Sequence, residues 1–335
     1  DRIEQILFEY ESENKLLTLE TFKTLFYGEE PEEENLLGFV DYHNAKMKDV
    51  LAPGTLKNYR TTKKYFKSFI NQKKKRENIY LREINYKFAI EFESFLRSKP
   101  NLNNNGIMKH MERFKKLMNF AHSLELIEKN PVEKFKLKFT KTEVAYLTKE
   151  ELKKIEQKEL TKDALSINRD MFVFSCYTGL AYADLRNLTQ ENIHKGIDGR
   201  NWIYFQRQKS KTNVRVPLLK KAQEIVDKYK DHPRAEIMER LLPVYSNQKT
   251  NKYLKEIAQL AKIDKQISFH TARHTFATTV TLSNGISMET VSKLLGHNKL
   301  ATTQIYARVL DHKISDELSG LEEKLTPHEK LKKVN

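Results

Sequence analysis

The 335-residue chain has a single cysteine, Cys176, which excludes an internal disulfide and a multi-thiolate zinc site within the chain. It lies in the apolar run Met171-Phe172-Val173-Phe174-Ser175-Cys176 and reads as a buried small hydrophobe. No apolar stretch approaches the roughly 20 residues that span a bilayer, and no signal peptide opens the sequence. Internal repeats and long low-complexity tracts are also missing. These absences point to a cytoplasmic protein with no membrane partner. The first residue is Asp1 rather than Met, so the sequence reads as a fragment whose natural N-terminus lies upstream.

Acidic side chains are outnumbered, 45 against 60 basic, for a net charge of +15. The imbalance is uneven. Residues 1–34 hold 11 acidic and 3 basic side chains, a net −8, so the remainder carries +23. Such a surplus predicts a polyanionic partner, because each phosphate neutralised by Lys or Arg releases condensed counterions. With 39% hydrophobic and 31% charged residues, the chain is a soluble, helix-rich globular protein rather than a disordered one. Its length suggests two domains.

Composition divides the chain. Residues 1–35 read as an acidic linker, ending in Gly28-Glu29-Glu30-Pro31-Glu32-Glu33-Glu34. Before it, Leu16, Leu19, Phe22, Leu25 and Phe26 have helical spacing and suit the remnant of a preceding small domain. Residues 36–137 read as four helices. Leu36, Val40, Met47 and Leu51 mark the first, which Pro53-Gly54 breaks. Thr55 is a plausible N-cap for the second, with Tyr59, Phe66 and Ile70 on its buried side. Ile84, Phe88, Phe92 and Phe95 belong to the third. After a polar break at 101–106, Met111, Phe114, Leu117, Met118 and Ala121 build the fourth, which Asn130-Pro131 closes. The second helix and its exit carry nine basic residues and no acidic one: Lys57, Arg60, Lys63, Lys64, Lys67, Lys73, Lys74, Lys75 and Arg76.

An extended interdomain linker is expected at 138–147. Thr148 with Glu151 then forms a capping-box signature that opens residues 148–335. Helices dominate there again, at about 219–229, 251–262, 270–283, 288–295 and 300–308. One antiparallel β ribbon, alternating at 202–205 and 214–216, interrupts them. Its basic turn and exit, 207–221, include Arg207, Lys209, Lys211 and Arg215 and no acidic residue.

Four side chains arrive in order within 37 residues: His270-Thr271-Ala272-Arg273, then Leu295-Gly296-His297, then Tyr306 nine residues later. Near a helix start, positions i and i+3 share a face, so an imidazole and a guanidinium can grip one phosphate beside the helix amides. His270 and His274 also have the spacing of metal ligands on a helix. However, Thr271-Ala272 stands where a zinc hydrolase has its Glu, and no third ligand is evident. Gly296 can end a helix in a left-handed cap and project His297 into a cleft. Singly, a histidine, an arginine or one of fifteen tyrosines is more often a packing or surface residue. Their joint order is the signal.

That run resembles the catalytic core of the tyrosine recombinase (phage integrase) family, and within it integrases of Bacteroidetes mobile elements. Residues 36–137 resemble the family's helical core-binding, SAM-like domain. The stretch 148–335 resembles its mostly α catalytic domain with a small antiparallel β insertion, and the two would form a C-shaped clamp on DNA. The acidic segment would then be what remains of an arm-type domain. The resemblance implies that Arg273 binds a non-bridging phosphate oxygen, His270 assists proton transfer, His297 hydrogen-bonds the phosphate, and Tyr306 is the nucleophile that forms a 3′-phosphotyrosine. Asp184, after Thr178-Gly179-Leu180, matches the acidic residue that supports the histidine and arginine. Lys209 matches the general acid for the 5′-oxygen, with Lys211 as a nearby competitor.

One position departs from the family pattern. Directly after Thr178-Gly179-Leu180, where the first arginine is expected, stands Ala181. Loss of such a stabiliser costs about 10²–10³ in rate. Some members of the Bacteroidetes subgroup lack this arginine, so another cation is expected to fill its place. Arg207 is the candidate, because side chains two apart on a strand share a face, which would project Arg207 with Lys209. Arg186 and Arg200 are the less favoured alternatives.

The implied reaction needs neither metal nor nucleotide cofactor. The expected function is site-specific recombination of double-stranded DNA sites of a mobile element, by strand exchange among four protomers through a Holliday junction. A tail helix carrying Ile314, Leu318, Leu321 and Leu325 would dock on an adjacent protomer, and a host DNA-bending protein could assist. The alternatives are a type IB topoisomerase and a non-catalytic DNA-binding protein derived from a recombinase.

Overall fold

A computed structural model describes residues 2–12, 34–142 and 144–306, with single positions 17, 22, 26 and 318. The chain divides into two compact units, 1–142 and 143–335. The expected tail lies outside the described residues apart from Leu318, as does most of the acidic segment. Within the latter, Arg2–Ser12 is a helix (α1), and the rings of Phe22 and Phe26 stack at 5.9 Å.

The first unit is helical: α2 (Leu36–Lys46), α3 (Pro53–Phe69), α4 (Tyr86–Arg97) and α5 (Asn104–Ser123). Phenylalanines at helical spacing make its core. Phe66 packs on Phe92 with ring centroids 4.5 Å apart and on Phe114 at 5.1 Å, and Phe69 packs on Phe88 at 5.1 Å.

Several helix boundaries lie elsewhere than the sequence pattern predicts. Helix α3 starts at Pro53, not after Thr55, because proline at a first turn lacks only an N–H that would have no helical partner. Asn103 caps α5 by accepting from the Gly106 N–H, so half of the supposed break at 101–106 is the helix's first turn. That helix ends at Ser123, well before Asn130-Pro131. Ile84 precedes α4, whose cap is Asn85.

The second unit is built around α7 (Asp163–Thr178), which packs against α6 (Lys149–Gln157), α9 (Lys220–Lys228), α11 (Asn247–Leu260) and α12 (Phe269–Thr275). Every residue of α7 from Asp170 to Cys176 is buried, so no polar stripe reveals its period in the sequence. Thr148 and Glu151 do form the capping box: the Thr148 N–H donates to Glu151 Oε2 at 2.8 Å, and the Glu151 N–H to Thr148 Oγ1 at 3.2 Å. After α8 (Tyr182–Arg186) come three antiparallel strands in sequential order, β1 (Ile193–Lys195), β2 (Asn201–Gln206) and β3 (Asn213–Pro217). The ribbon therefore has a third strand, too short to show alternation. Ile203, Val214 and Val216 face the core, while Tyr204 opposes Arg215 on the outer face. The short α10 (Pro233–Ile237) leads to α11, and α13 (Met288–Leu294) follows α12.

After α12 the backbone widens into a π-helical stretch, Phe276–Thr281. Threonine hydroxyls back-bond to carbonyls through it: Thr275 to Thr271 at 2.9 Å, Thr278 to His274 at 2.8 Å and Thr281 to Phe276 at 2.8 Å. Such bonds compete with the backbone ladder and bend a helix. No described helix is long and apolar enough to cross a membrane.

Candidate active site

Two glycines let the chain come together around Arg273. Gly179 ends α7 with φ 71°, and a Cβ there would lie 2.5 Å from Phe276 Cδ1. Gly296 follows α13 with φ 61°, the left-handed cap expected of it. Its N–H donates to the Lys293 carbonyl at 2.9 Å and the His297 N–H to that of Ser292 at 3.0 Å, the two bonds of a Schellman motif. A Cβ on Gly296 would lie 2.5 Å from Val214 Cγ2 and 2.8 Å from Arg207 Cδ, so the loop can touch the sheet only as glycine.

Arg273 is 3% exposed. Its Nη1 donates to the Gly179 carbonyl at 2.6 Å and its Nη2 to the Leu295 carbonyl. Burial, then the Arg207 charge, lowers its pKa to about 10. The Nη1 of Arg207 donates to the same Leu295 oxygen at 2.8 Å, so two guanidiniums meet on one carbonyl. Asp184, buried, accepts from the Gln208 N–H at 3.0 Å and sets its other oxygen 3.5 Å from Arg207 Nε. Its hydrogen bond and ion contact are thus with the Arg207 turn, and at longer range its charge opposes the burial that lowers the pKa of Arg273.

Arg207 reaches this place by a different route from the one the strand pattern suggests. Strand β2 ends at Gln206, and 207–212 is a turn closed by the Arg207 N–H on the Thr212 carbonyl at 2.8 Å. Arg207 folds inward while Lys209 stays exposed, so the two do not share a strand face. The turn is stapled to the loop after α13: Ser210 Oγ donates to the Gly296 carbonyl at 3.2 Å and Thr212 Oγ1 to Asn298 Oδ1 at 2.6 Å. Lys209 is near enough that its charge lowers the pKa of both His270 and His297. Lys211 is exposed in the left-handed region at φ 56°. Arg215 lies on the outer face, its guanidinium 4.9 Å from the Tyr204 ring centroid. Arg186 is exposed and Arg200 pairs with Asp198 at 2.6 Å, whereas it is the Arg207 charge that acts on Arg273, His297 and Tyr306.

Tyr306 is 3% exposed and packs with Phe276, Val291 and Leu295. Burial raises its pKa, and the charges of Arg273 and Arg207 oppose that rise. Its hydroxyl bonds to Nδ1 of His274 at 2.8 Å. In the sequence His274 is marked only by its spacing of four from His270, that of metal ligands on a helix, and nothing local points to its meeting with Tyr306. The His270 and His274 rings meet edge to face at 4.3 Å. Burial, then His270 and Arg273, lowers the His274 pKa to about 3. His297 bonds through Nδ1 to Thr303 Oγ1 at 2.8 Å, and burial with the surrounding cations lowers its pKa to about 4. His270 is shifted down by desolvation and by Arg273, Lys209 and Arg207, although its side chain reaches the surface. Among the described residues, no group of three His, Cys, Asp or Glu side chains is placed to hold a metal ion.

In the first unit, α3 presents Lys57, Arg60, Lys64 and Lys67 along one exposed stripe, opposite buried Leu56, Tyr59, Phe66 and Phe69. Three other members of the basic cluster are engaged: Lys63 with Asp41, Lys74 with Glu91, and Arg76 with Glu83 at 2.5 Å. Lys73 and Lys75 are exposed.

Two family models match the chain, one described as the phage integrase SAM-like domain over residues 35–137 and one as the phage integrase family over residues 145–313. The chain belongs to the phage integrase family. It is similar to the tyrosine recombinase XerD of Halalkalibacterium halodurans, 31% identical over 192 residues that cover 53% of this chain and 62% of that protein. It is also similar to the tyrosine recombinase XerC of Oceanobacillus iheyensis, 25% identical over 82% of this chain and 91% of that protein. The fold is shared with a lambda integrase (75–356) dimer bound to a COC′ core site, at TM-score 0.66, 18% identity, 81% of this chain and 95% of the other. It is shared too with XerH bound to palindromic difH substrate, at TM-score 0.63, 17% identity, 86% of this chain and 85% of the other.

Proposed function

We propose that the chain is a site-specific DNA recombinase of a mobile element, cutting and rejoining double-stranded DNA through a covalent 3′-phosphotyrosine on Tyr306. The observation that carries this reading is the meeting of Arg273 and Arg207 on the Leu295 carbonyl, within electrostatic reach of a buried tyrosine. Each guanidinium has five N–H donors in a fixed fork, so both keep donors for the non-bridging oxygens of a phosphodiester. Arg207 takes the role left open at Ala181, and Asp184 holds its turn.

In the reaction Tyr306 Oη forms a bond to phosphorus while the bond to the 5′-oxygen breaks. His297 hydrogen-bonds the phosphate, His270 assists proton transfer, and Lys209 gives a proton to the departing 5′-oxygen. The phosphotyrosine keeps the bond energy, so a 5′-hydroxyl of another strand can reseal without ATP or metal. Residues 36–137 serve as the core-binding domain, 148–335 as the catalytic domain and 138–147 as their linker. The stripe Lys57, Arg60, Lys64 and Lys67, with Lys73, Lys75, Lys211 and Arg215, supplies phosphate contacts. Partners are the DNA sites, further protomers in a tetrameric synapse reached through the C-terminal tail, and a host bending protein, in the cytoplasm. Strand exchange passes through a Holliday junction.

A nicked suicide duplex carrying the recombination site tests the reading. Wild-type protein forms a covalent adduct that Tyr306→Phe does not; a bound site with no adduct would sink it. Recombinant products, rather than merely relaxed circles, separate recombination from topoisomerase action.

A further inference from the structure

Among the polar partners of Tyr306, one belongs to none of the roles above. The Tyr306 hydroxyl is bonded at 2.8 Å to Nδ1 of His274, one residue past the buried Arg273. The bond is geometrically prepared from both sides. His274 is held on α12 between the His270 ring, 4.3 Å away edge to face, and the Tyr306 ring, whose centroid is 5.6 Å away. Tyr306 is held by its packing on Phe276 and Leu295. Both elements are anchored to the same point, since Arg273 donates to the carbonyl of Leu295.

We infer that His274 is a catalytic residue of the tyrosyl-transfer step: its Nδ1 accepts the Tyr306 O–H and aims the oxygen lone pairs at the phosphorus. This rests on the reading of Tyr306 as the nucleophile. An imidazole can perform the task only while neutral, because the protonated ring has no acceptor. Its neighbours keep it so: His270 and Arg273 both disfavour a charge on it, and burial does so more strongly. In the DNA complex the negative phosphate offsets the cationic field around His274 and raises the basicity of Nδ1. As Oη bonds to phosphorus, the phenolic proton therefore passes to Nδ1, while the 5′-oxygen takes its proton from the opposite side of the phosphorus. Nucleophile activation and leaving-group protonation are therefore assigned to different residues, His274 and Lys209.

The test uses single-turnover cleavage of the nicked duplex by the full chain, alongside DNA affinity and thermal melting. Acid–base and orienting groups of this kind contribute about 10²-fold or more, so His274→Ala should lose about that factor in the cleavage rate at unchanged DNA affinity. Asparagine places an acceptor near the position of Nδ1 and glutamine does not. His274→Asn should therefore recover the part of the rate that orientation contributes, and His274→Gln should stay slow, a contrast that packing loss does not produce. A substrate with sulfur in place of the bridging 5′-oxygen needs no acid for its leaving group. It should rescue Lys209→Ala and leave His274→Ala slow. Rescue of His274→Ala by the sulfur substrate, equal rates for Asn and Gln, or wild-type cleavage by His274→Ala would each overturn the inference. Failure of the wild-type protein to form any adduct would instead strike the parent reading.

Discussion

Arg207 and Arg273 donate to one oxygen, the carbonyl of Leu295. Two guanidiniums brought this close repel, and Arg207 duly lowers the pKa of Arg273. The arrangement suits an anion, whose charge would offset that repulsion.

Replacing Arg207 by alanine should slow strand cleavage by about 10²–10³ while DNA affinity changes little. The buried Asp184 loses its charge partner, so a cost of about 1–3 kcal/mol should appear in chemical denaturation. Single-turnover cleavage with a parallel gel-shift assay checks the split. A wild-type rate would mean that another cation stabilises the phosphate.

Gly296→Ala should be more damaging than Gly285→Ala. Both have positive φ, 61° and 83°, and a side chain in that region costs about 1–2 kcal/mol. At Gly285 nothing lies within 4 Å of a new Cβ, whereas at Gly296 it would strike Val214 and the Arg207 stem. Melting and cleavage should both fall for Gly296→Ala. Gly285→Ala should lose stability alone.

The lysines of α3 should differ in their effect on DNA binding. Each phosphate contact removed should reduce the slope of log affinity against log salt by about 0.9. Lys57→Ala, Arg60→Ala, Lys64→Ala and Lys67→Ala should show that reduction in fluorescence anisotropy titrations. Lys63→Ala should show less, because Lys63 is engaged with Asp41.

Acid should destabilise the protein before its carboxylates titrate. His110 and His297 have folded pKa values near 4, and that of His274 is near 3, against 6.5 for the ordinary side chain. A depressed histidine binds fewer protons folded than unfolded, so stability is full above pH 6.5 and declines as pH falls toward 4. His110, bonded at 2.9 Å to Thr62 and depressed by burial and Arg113, offers a check away from the candidate active site. His110→Asn should flatten the decline in melting temperature between pH 6.5 and 4.5. An unchanged slope would show that His110 protonates freely in the folded state.

Local chemistry made part of the candidate site readable. The Schellman glycine at Gly296, the Thr148 capping box and the apolar repeats of α4 and α5 depend on neighbours a few residues apart. The N-cap expected at Thr55 and the break expected at 101–106 give way because Pro and Asn serve helix starts as well as turns. Helix α7 was hidden because a helix buried on all sides has no polar stripe.

The sequence by itself determined the inventory: a basic chain with helical patterning and an ordered histidine, arginine, histidine and tyrosine, with alanine at position 181. Only the tertiary structure decided who meets whom. The turn at 207–212 sends Arg207 inward to Leu295, 88 residues away, and leaves Lys209 outside. The hydroxyl of Tyr306 meets His274, 32 residues away. Hydrogen bonds over such separations follow from how packed elements bring their ends together, and helix or strand periodicity constrains only residues within the same element.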